Sequence, residues 1–148
     1  MSGVKVLIVD DEPDILEFVG YNLQNAGYLV KKAQSGKEAI ELNKKFLPDL
    51  IILDVMMPDI DGIETCYQIK SQNTSNDPKI IFLTARAEDY SEISGLEAGA
   101  DDYITKPVRP RVLLSRIKAV LRRGGSEDKS QLIVTRGEFT IDWEKYTL

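Results

Sequence analysis

Through residue 123 the chain alternates short apolar runs with longer segments of helical period, the arrangement expected of βαβ units on a parallel sheet. Five such units are counted. The predicted strands are Val4–Val9, Tyr28–Ala33, Leu50–Leu53, Lys79–Leu83 and Asp102–Thr105. The first, third and fourth are almost wholly aliphatic, which suits strands covered by helices on both faces. Ser35 with Glu38, and Asp61 with Glu64, have the spacing of a capping box, and Pro13 suits a first helical turn. Gly27 and Gly99 stand where helices would end. The fifth helix, from Pro110 to about Arg123, places Leu113, Leu114, Ile117, Val120 and Leu121 on one face.

Beyond Arg123 the period is lost. Residues 124–131 are Gly, Ser and charged residues and read as a linker, and 132–148 turns β-like, with Ile133, Phe139, Ile141, Trp143 and Tyr146 around a turn at Arg136-Gly137. The expected organisation is a domain over 1–123, a linker over 124–131 and a hairpin-like piece over 132–148.

Composition narrows the chemistry. None of the 148 residues is His, which removes His-based acid/base catalysis, Ser-His and Cys-His nucleophiles and most zinc or haem ligation. The one cysteine, Cys66, forms no intramolecular disulfide, so a reducing cytoplasm is the expected compartment. No apolar run approaches the roughly 20 residues of a membrane span, and the first nine residues do not read as a signal peptide. A soluble protein is expected. The net charge of -5 is uneven: residues 1–108 hold 19 acids and 10 bases, whereas 109–148 hold 5 acids and 9 bases. Six of those bases fall between Arg109 and Arg123 with no acid among them.

Ligands of a parallel α/β sheet bind at the carboxyl ends of its strands. Those ends carry Asp10, Asp11 and Glu12 after the first strand, Asp54 after the third, Thr84 after the fourth and Lys106 after the fifth. Carboxylates gathered this closely raise one another's pKa unless a cation joins them. Hard oxygen donors without His or Cys favour Mg²⁺, which takes one or two carboxylates together with phosphate oxygens. Taken singly, Asp10 and Asp11 also suit a helix entry, Asp54 a solvated strand end, and Thr84 and Tyr103 ordinary packing.

The runs Val9-Asp10-Asp11-Glu12, Leu53-Asp54-Val55-Met56-Met57-Pro58-Asp59-Ile60-Asp61-Gly62, Leu83-Thr84-Ala85-Arg86 and Gly99-Ala100-Asp101-Asp102-Tyr103-Ile104-Thr105-Lys106-Pro107 together resemble the receiver domain of bacterial two-component response regulators. The resemblance spans about residues 3–123. It implies a flavodoxin-like (CheY-like), doubly wound, five-stranded parallel sheet of order 2-1-3-4-5 with helices on both faces. It also implies that Asp54 is the phosphoacceptor, taking a phosphoryl group from the phosphohistidine of a sensor histidine kinase. Mg²⁺ would be held by Asp10, Asp11, Asp54 and the backbone carbonyl of Met56. Lys106 and Thr84 would contact phosphoryl oxygens, with a cis peptide at Lys106-Pro107. Thr84 and Tyr103 would move together as a switch, and Met56 and Arg86 would tune the lifetime of the phosphorylated state. Such a protein would not be an enzyme beyond its own phosphorylation and dephosphorylation.

The length of the segment Gly95–Arg123, the linker and the tail are similar to the OmpR/PhoB class, whose receivers precede a winged-helix DNA-binding domain opening with a small antiparallel sheet. The expectation is a fragment, or a natural truncation, of a longer transcription factor that contacts DNA only through that missing domain. The class implies a homodimer on phosphorylation, through the fourth helix, fifth strand and fifth helix. Here Glu97, Asp101 and Asp102 would meet Arg116, Lys118 and Arg122, while one usual pair is lost because Glu92 and Val112 occupy its positions. The alternatives are a stand-alone receiver acting through protein contacts, a binding module with a vestigial acid cluster, and an aspartate-based phosphatase. The last needs a second Asp two residues after the nucleophile, where this chain has Met56.

Overall fold

A computed structural model describes residues 3–72, 74, 76–85 and 99–123. The elements are β1 (Lys5–Val9), α1 (Pro13–Asn25), β2 (Leu29–Ala33), α2 (Gly36–Phe46), β3 (Leu50–Asp54), α3 (Gly62–Ser71), β4 (Lys79–Thr84), β5 (Asp102–Thr105) and α4 (Pro110–Arg123), the last being the fifth helix of the sequence pattern. The predicted fourth helix, with Arg86, Glu92 and Glu97, the linker and the 132–148 tail with Trp143 lie outside the described residues.

The strands form one parallel sheet in the order β2-β1-β3-β4-β5. Alternation along each strand divides its aliphatic side chains between two cores. Val6, Ile8, Leu50, Ile52, Ile81 and Leu83 meet Leu16, Val19 and Leu23 of α1 and Leu113, Ile117 and Val120 of α4. Leu7, Val9, Ile51, Leu53, Ile80 and Phe82 meet Ala39 of α2 and Cys66 and Ile69 of α3. The sheet is therefore doubly wound. Both faces being covered explains why β3 is buried throughout, whereas edge strand β2 exposes Leu29, Lys31 and Lys32.

Local signals account for three helix starts and one helix close. Pro13 opens α1, and the helix closes in a Schellman motif, in which the Gly27 N–H bonds the Gln24 carbonyl at 3.0 Å and the Tyr28 N–H bonds that of Leu23 at 3.1 Å. Gly27 at φ 99 supplies the left-handed residue this motif requires. Asp61 accepts from the Glu64 N–H at 2.9 Å and Ser35 from the Glu38 N–H at 3.1 Å, as the spacing predicts. The reciprocal halves of both capping boxes differ. Glu38 accepts instead from the N–H of Gln34, and Glu64 is engaged by the Gln68 side chain. Two strand starts also fall one residue later than predicted, because Val4 and Tyr28 lie outside the ladder that begins at Lys5 and Leu29. No helix among the described residues is long and apolar enough to cross a membrane.

Candidate functional site

Strand order brings β1, β3, β4 and β5 side by side, so the residues at their carboxyl ends converge. Asp54 and Thr84 are the last residues of β3 and β4, one position further into the strands than the pattern suggested. Backbone bonds carry the ladder past the strand ends and aim the side chains. The Asp10 N–H reaches the Ala33 carbonyl at 3.1 Å, that of Val55 the Leu83 carbonyl at 3.0 Å, and that of Lys106 the Thr84 carbonyl at 2.8 Å. The Lys106-Pro107 peptide is cis.

Asp10, Asp54 and Thr84 are buried, while Asp11 is exposed. One carboxylate oxygen from each of Asp10, Asp11 and Asp54 lies within 4.8 Å of the others. The Lys106 ammonium is 3.2 Å from Asp10 Oδ2 and 3.6 Å from Asp54 Oδ1, forming an ion pair with both. Asp10 Oδ1 accepts the Glu12 N–H at 2.9 Å, and buried Oδ2 is met by the Lys106 ammonium. Three carboxylates gathered on one rim and balanced by a single ammonium are the donor set a small hard cation completes.

Electrostatics follow from this crowding. Burial, then the Asp10 charge, pushes the Asp54 carboxyl up from 3.8 to about 7, against the Lys106 ammonium and the Met56 N–H, which bonds Asp54 Oδ1 at 3.4 Å. For Lys106, burial works downward, yet the carboxylates of Asp54 and Asp10 outweigh it and raise the ammonium above its ordinary value. Cys66 takes no part in this chemistry. It is buried in α3, and burial pushes its thiol up to about 11.

Tyr103 of β5 stands opposite Phe82 and packs, half-buried, on the second core. Two of the acids expected at a dimer surface, Asp101 and Asp102, have partners within the chain. Asp101 accepts the Ile80 N–H at 2.9 Å, extending the β4 ladder, and Asp102 takes Arg116 Nη1 at 2.9 and 3.1 Å. Lys118 and Arg122 are exposed on α4 beside Val4 and Tyr28.

Two residues of the site escaped the sequence reading. A Cβ on Gly62 would lie 2.3 Å from the Asp54 carbonyl oxygen and 2.9 Å from Val55 Cα, so α3 starts against the backbone that carries Asp54. The Gly62 N–H also bonds the Val55 carbonyl at 2.7 Å. Asp59 is the second, bonding the N–H groups of Gly36 and Lys37 at the start of α2. A glycine directly after the helix cap Asp61 was a visible signal for the first. No local signal marks the second, because its partners lie 22 and 23 residues away.

Residues 6–118 match the family model of the response regulator receiver domain. This chain belongs to that family. It is 48% identical over 119 residues to the alkaline phosphatase synthesis transcriptional regulatory protein PhoP of Bacillus subtilis, covering 80% of this chain and 49% of that protein. It is 45% identical over 137 residues to the phosphate regulon transcriptional regulatory protein PhoB of Pseudomonas aeruginosa, covering 93% and 60% respectively. The chain thus spans only about half to three-fifths of these relatives, which are OmpR/PhoB-type regulators. Among solved structures, the BeF3-activated receiver domain of DrrB, an OmpR/PhoB homologue of Thermotoga maritima, matches with a TM-score of 0.70 and 41% identity, over 83% of this chain and 100% of that one. A CheY-like receiver domain protein of Methanospirillum hungatei matches with a TM-score of 0.75 and 32% identity, over 86% and 98%.

Proposed function

We propose that Asp54 of this receiver accepts a phosphoryl group from the phosphohistidine of a sensor histidine kinase. The observation that carries the reading is a buried carboxylate, 3.6 Å from the Lys106 ammonium, within a three-carboxylate cluster. In the step, a carboxylate oxygen of Asp54 attacks phosphorus, the P–N bond breaks, and the donor imidazole leaves with the electron pair. Attack of water on phosphorus later returns the carboxylate and inorganic phosphate. Lys106 balances charge on a phosphoryl oxygen, and Thr84, buried at the end of β4, donates to another. Mg²⁺ held by Asp10, Asp11, Asp54 and the Met56 carbonyl supplies Lewis-acid charge neutralisation when bound. The chain's chemistry ends at its own phosphorylation and dephosphorylation, so it is a signalling acceptor and not a metabolic enzyme.

The added charge biases a two-state element that includes Thr84 and Tyr103. In the whole protein, the switched surface promotes a homodimer and controls transcription through a DNA-binding effector domain; the longer relatives are named as transcriptional regulatory proteins. Because Arg116 is held by Asp102 within the chain, any bond that Arg116 makes to another copy must share or exchange that pair.

Incubation with Mg²⁺ and acetyl phosphate should add about 80 Da to the wild type, the mass of one phosphoryl group less the proton it replaces, and nothing to Asp54→Asn. Persistent absence of the adduct favours the vestigial module, and turnover of a phosphoester without an adduct favours the phosphatase. Beryllofluoride should shift association state, and charge reversal at Arg116 should weaken that shift. No change in either would remove the dimer.

A further inference from the structure

The loop between β3 and α3, residues 55–61, carries Met56 and is anchored at three kinds of point. Its beginning is held by the Val55 N–H on Leu83 and by Gly62 on Val55, and Met57 packs on the second core. Its end is held by Asp61 at the cap of α3. Between these anchors, Asp59 reaches out of the loop to a different helix. Its Oδ1 accepts the Gly36 N–H at 3.2 Å, and its Oδ2 accepts the Lys37 N–H at 3.0 Å.

Gly36 and Lys37 open α2, and their N–H groups are among the four that no helical carbonyl can reach. The helix's own cap, Ser35, already serves Glu38. Asp59 thus completes an N-terminus that the local sequence leaves half-served, with a charge of the sign that terminus favours. The approach is close: a Cβ on Gly36 would fall 2.6 Å from Ile60 Cγ1 and 2.3 Å from Thr65 Oγ1. Only a residue without a side chain lets the loop, α2 and α3 meet there. The slight burial of the Asp59 carboxyl works upward, but the N–H groups of Lys37, Ile60, Gly36 and Asp59 itself outweigh it and hold the group below its ordinary range.

We propose that Asp59 is a positioning residue for the acidic site, tying the Met56 segment to α2 so that the Met56 carbonyl is presented to the cation shared by Asp10, Asp11 and Asp54. This rests on the phosphoacceptor reading above. Met56 itself is exposed, so no packing of its own side chain fixes that carbonyl.

Mn²⁺ binding to the full chain, followed by electron paramagnetic resonance, and labelling by acetyl phosphate across a Mg²⁺ titration test it together. Asp59→Ala should weaken Mn²⁺ binding about tenfold, the low end for loss of an outer-shell partner, and raise the Mg²⁺ needed for half-maximal labelling by the same factor. The labelling rate at saturating Mg²⁺ should change by less than about twofold, the signature of lost binding and not lost chemistry. Asp59→Asn loses the same charge and one of the two acceptor oxygens but keeps the other, and should recover part of the affinity. Ser35→Ala weakens the same helix terminus without touching the loop, and should leave Mn²⁺ affinity unchanged.

Unchanged affinity in Asp59→Ala overturns the proposal. An Asn variant as weak as Ala shows that the hydrogen bond it keeps does not position the loop, and a Ser35→Ala variant as weak assigns the effect to helix stability. Either result also overturns it. A wild type that neither binds Mn²⁺ nor becomes labelled overturns the phosphoacceptor reading, and this one with it.

Discussion

The middle of the sheet and the buried part of its carboxyl rim are chemically opposite. Ile8 and Ile52 are fully buried among aliphatic neighbours of α1 and α4, and Asp10 and Asp54, two positions further along the chain from each, are buried as well. Burial stabilises the first set by roughly 1.5–3 kcal/mol per large side chain. The same burial disfavours the charged form of a carboxylate, and at Asp54 it is the first cause of a pKa raised to about 7. The aliphatic middle therefore stabilises a fold that holds acids where desolvation opposes them. Lys106 offsets part of that opposition, and a cation would offset more.

The comparison breaks most readily in the middle. Ile52→Ala should lower the free energy of unfolding by about 2–5 kcal/mol in a denaturant titration, because a cavity is added to the lost transfer energy. A loss below about 1 kcal/mol, the range of tolerated core swaps, would show that the middle does not carry the fold.

At the junction of the two regions, Gly62→Ala places a methyl 2.3 Å from the Asp54 carbonyl oxygen. The start of α3 must retreat, at a cost of about 1–3 kcal/mol for overpacking. Acetyl phosphate labelling should fall with it, as Asp54 shifts away from Lys106. A stable variant that labels normally would show that the two regions are not mechanically joined.

The rim itself should respond in the opposite direction. The folded chain keeps the Asp54 proton up to about 7, whereas an ordinary carboxyl releases it near 3.8. Between those values the folded state binds more protons than the unfolded one, so stability falls as pH rises through the window. Asp54→Asn removes that loss. Thermal melts in EDTA should show the variant gaining on the wild type from about pH 4 to 7, with a constant gap above. Mg²⁺ should narrow the gap by stabilising the wild type alone. A gap that closes as pH rises would mean that Asp54 is stabilised as a carboxylate without a cation.

Much of this molecule was legible in sequence because each signal was local. The aliphatic alternation of β1, β3 and β4, the helix starts at Pro13, Ser35 and Asp61, and the chemistry gathered after each strand all follow from residues within a few positions of one another. Contacts between distant elements were less accessible. The Asp59 tie to Gly36 and Lys37 has no periodic signature, and Arg116 was expected to meet acids of another copy before the fold placed Asp102 within its reach. The reciprocal capping at Glu38 failed for a similar reason, since the choice between the N–H groups of Ser35 and Gln34 is made by the geometry of the turn.

By itself the sequence determined which groups exist and in what order: an acid pair after β1, single acids and hydroxyls ending β3 and β4, a lysine after β5, and no histidine to act in their place. Tertiary structure decided their distances and their charge. The strand order set Lys106 at 3.2 Å from Asp10 and 3.6 Å from Asp54, and covering both faces of the sheet desolvated them. Coulomb energy depends on separation and local dielectric, and neither exists until the strands are side by side.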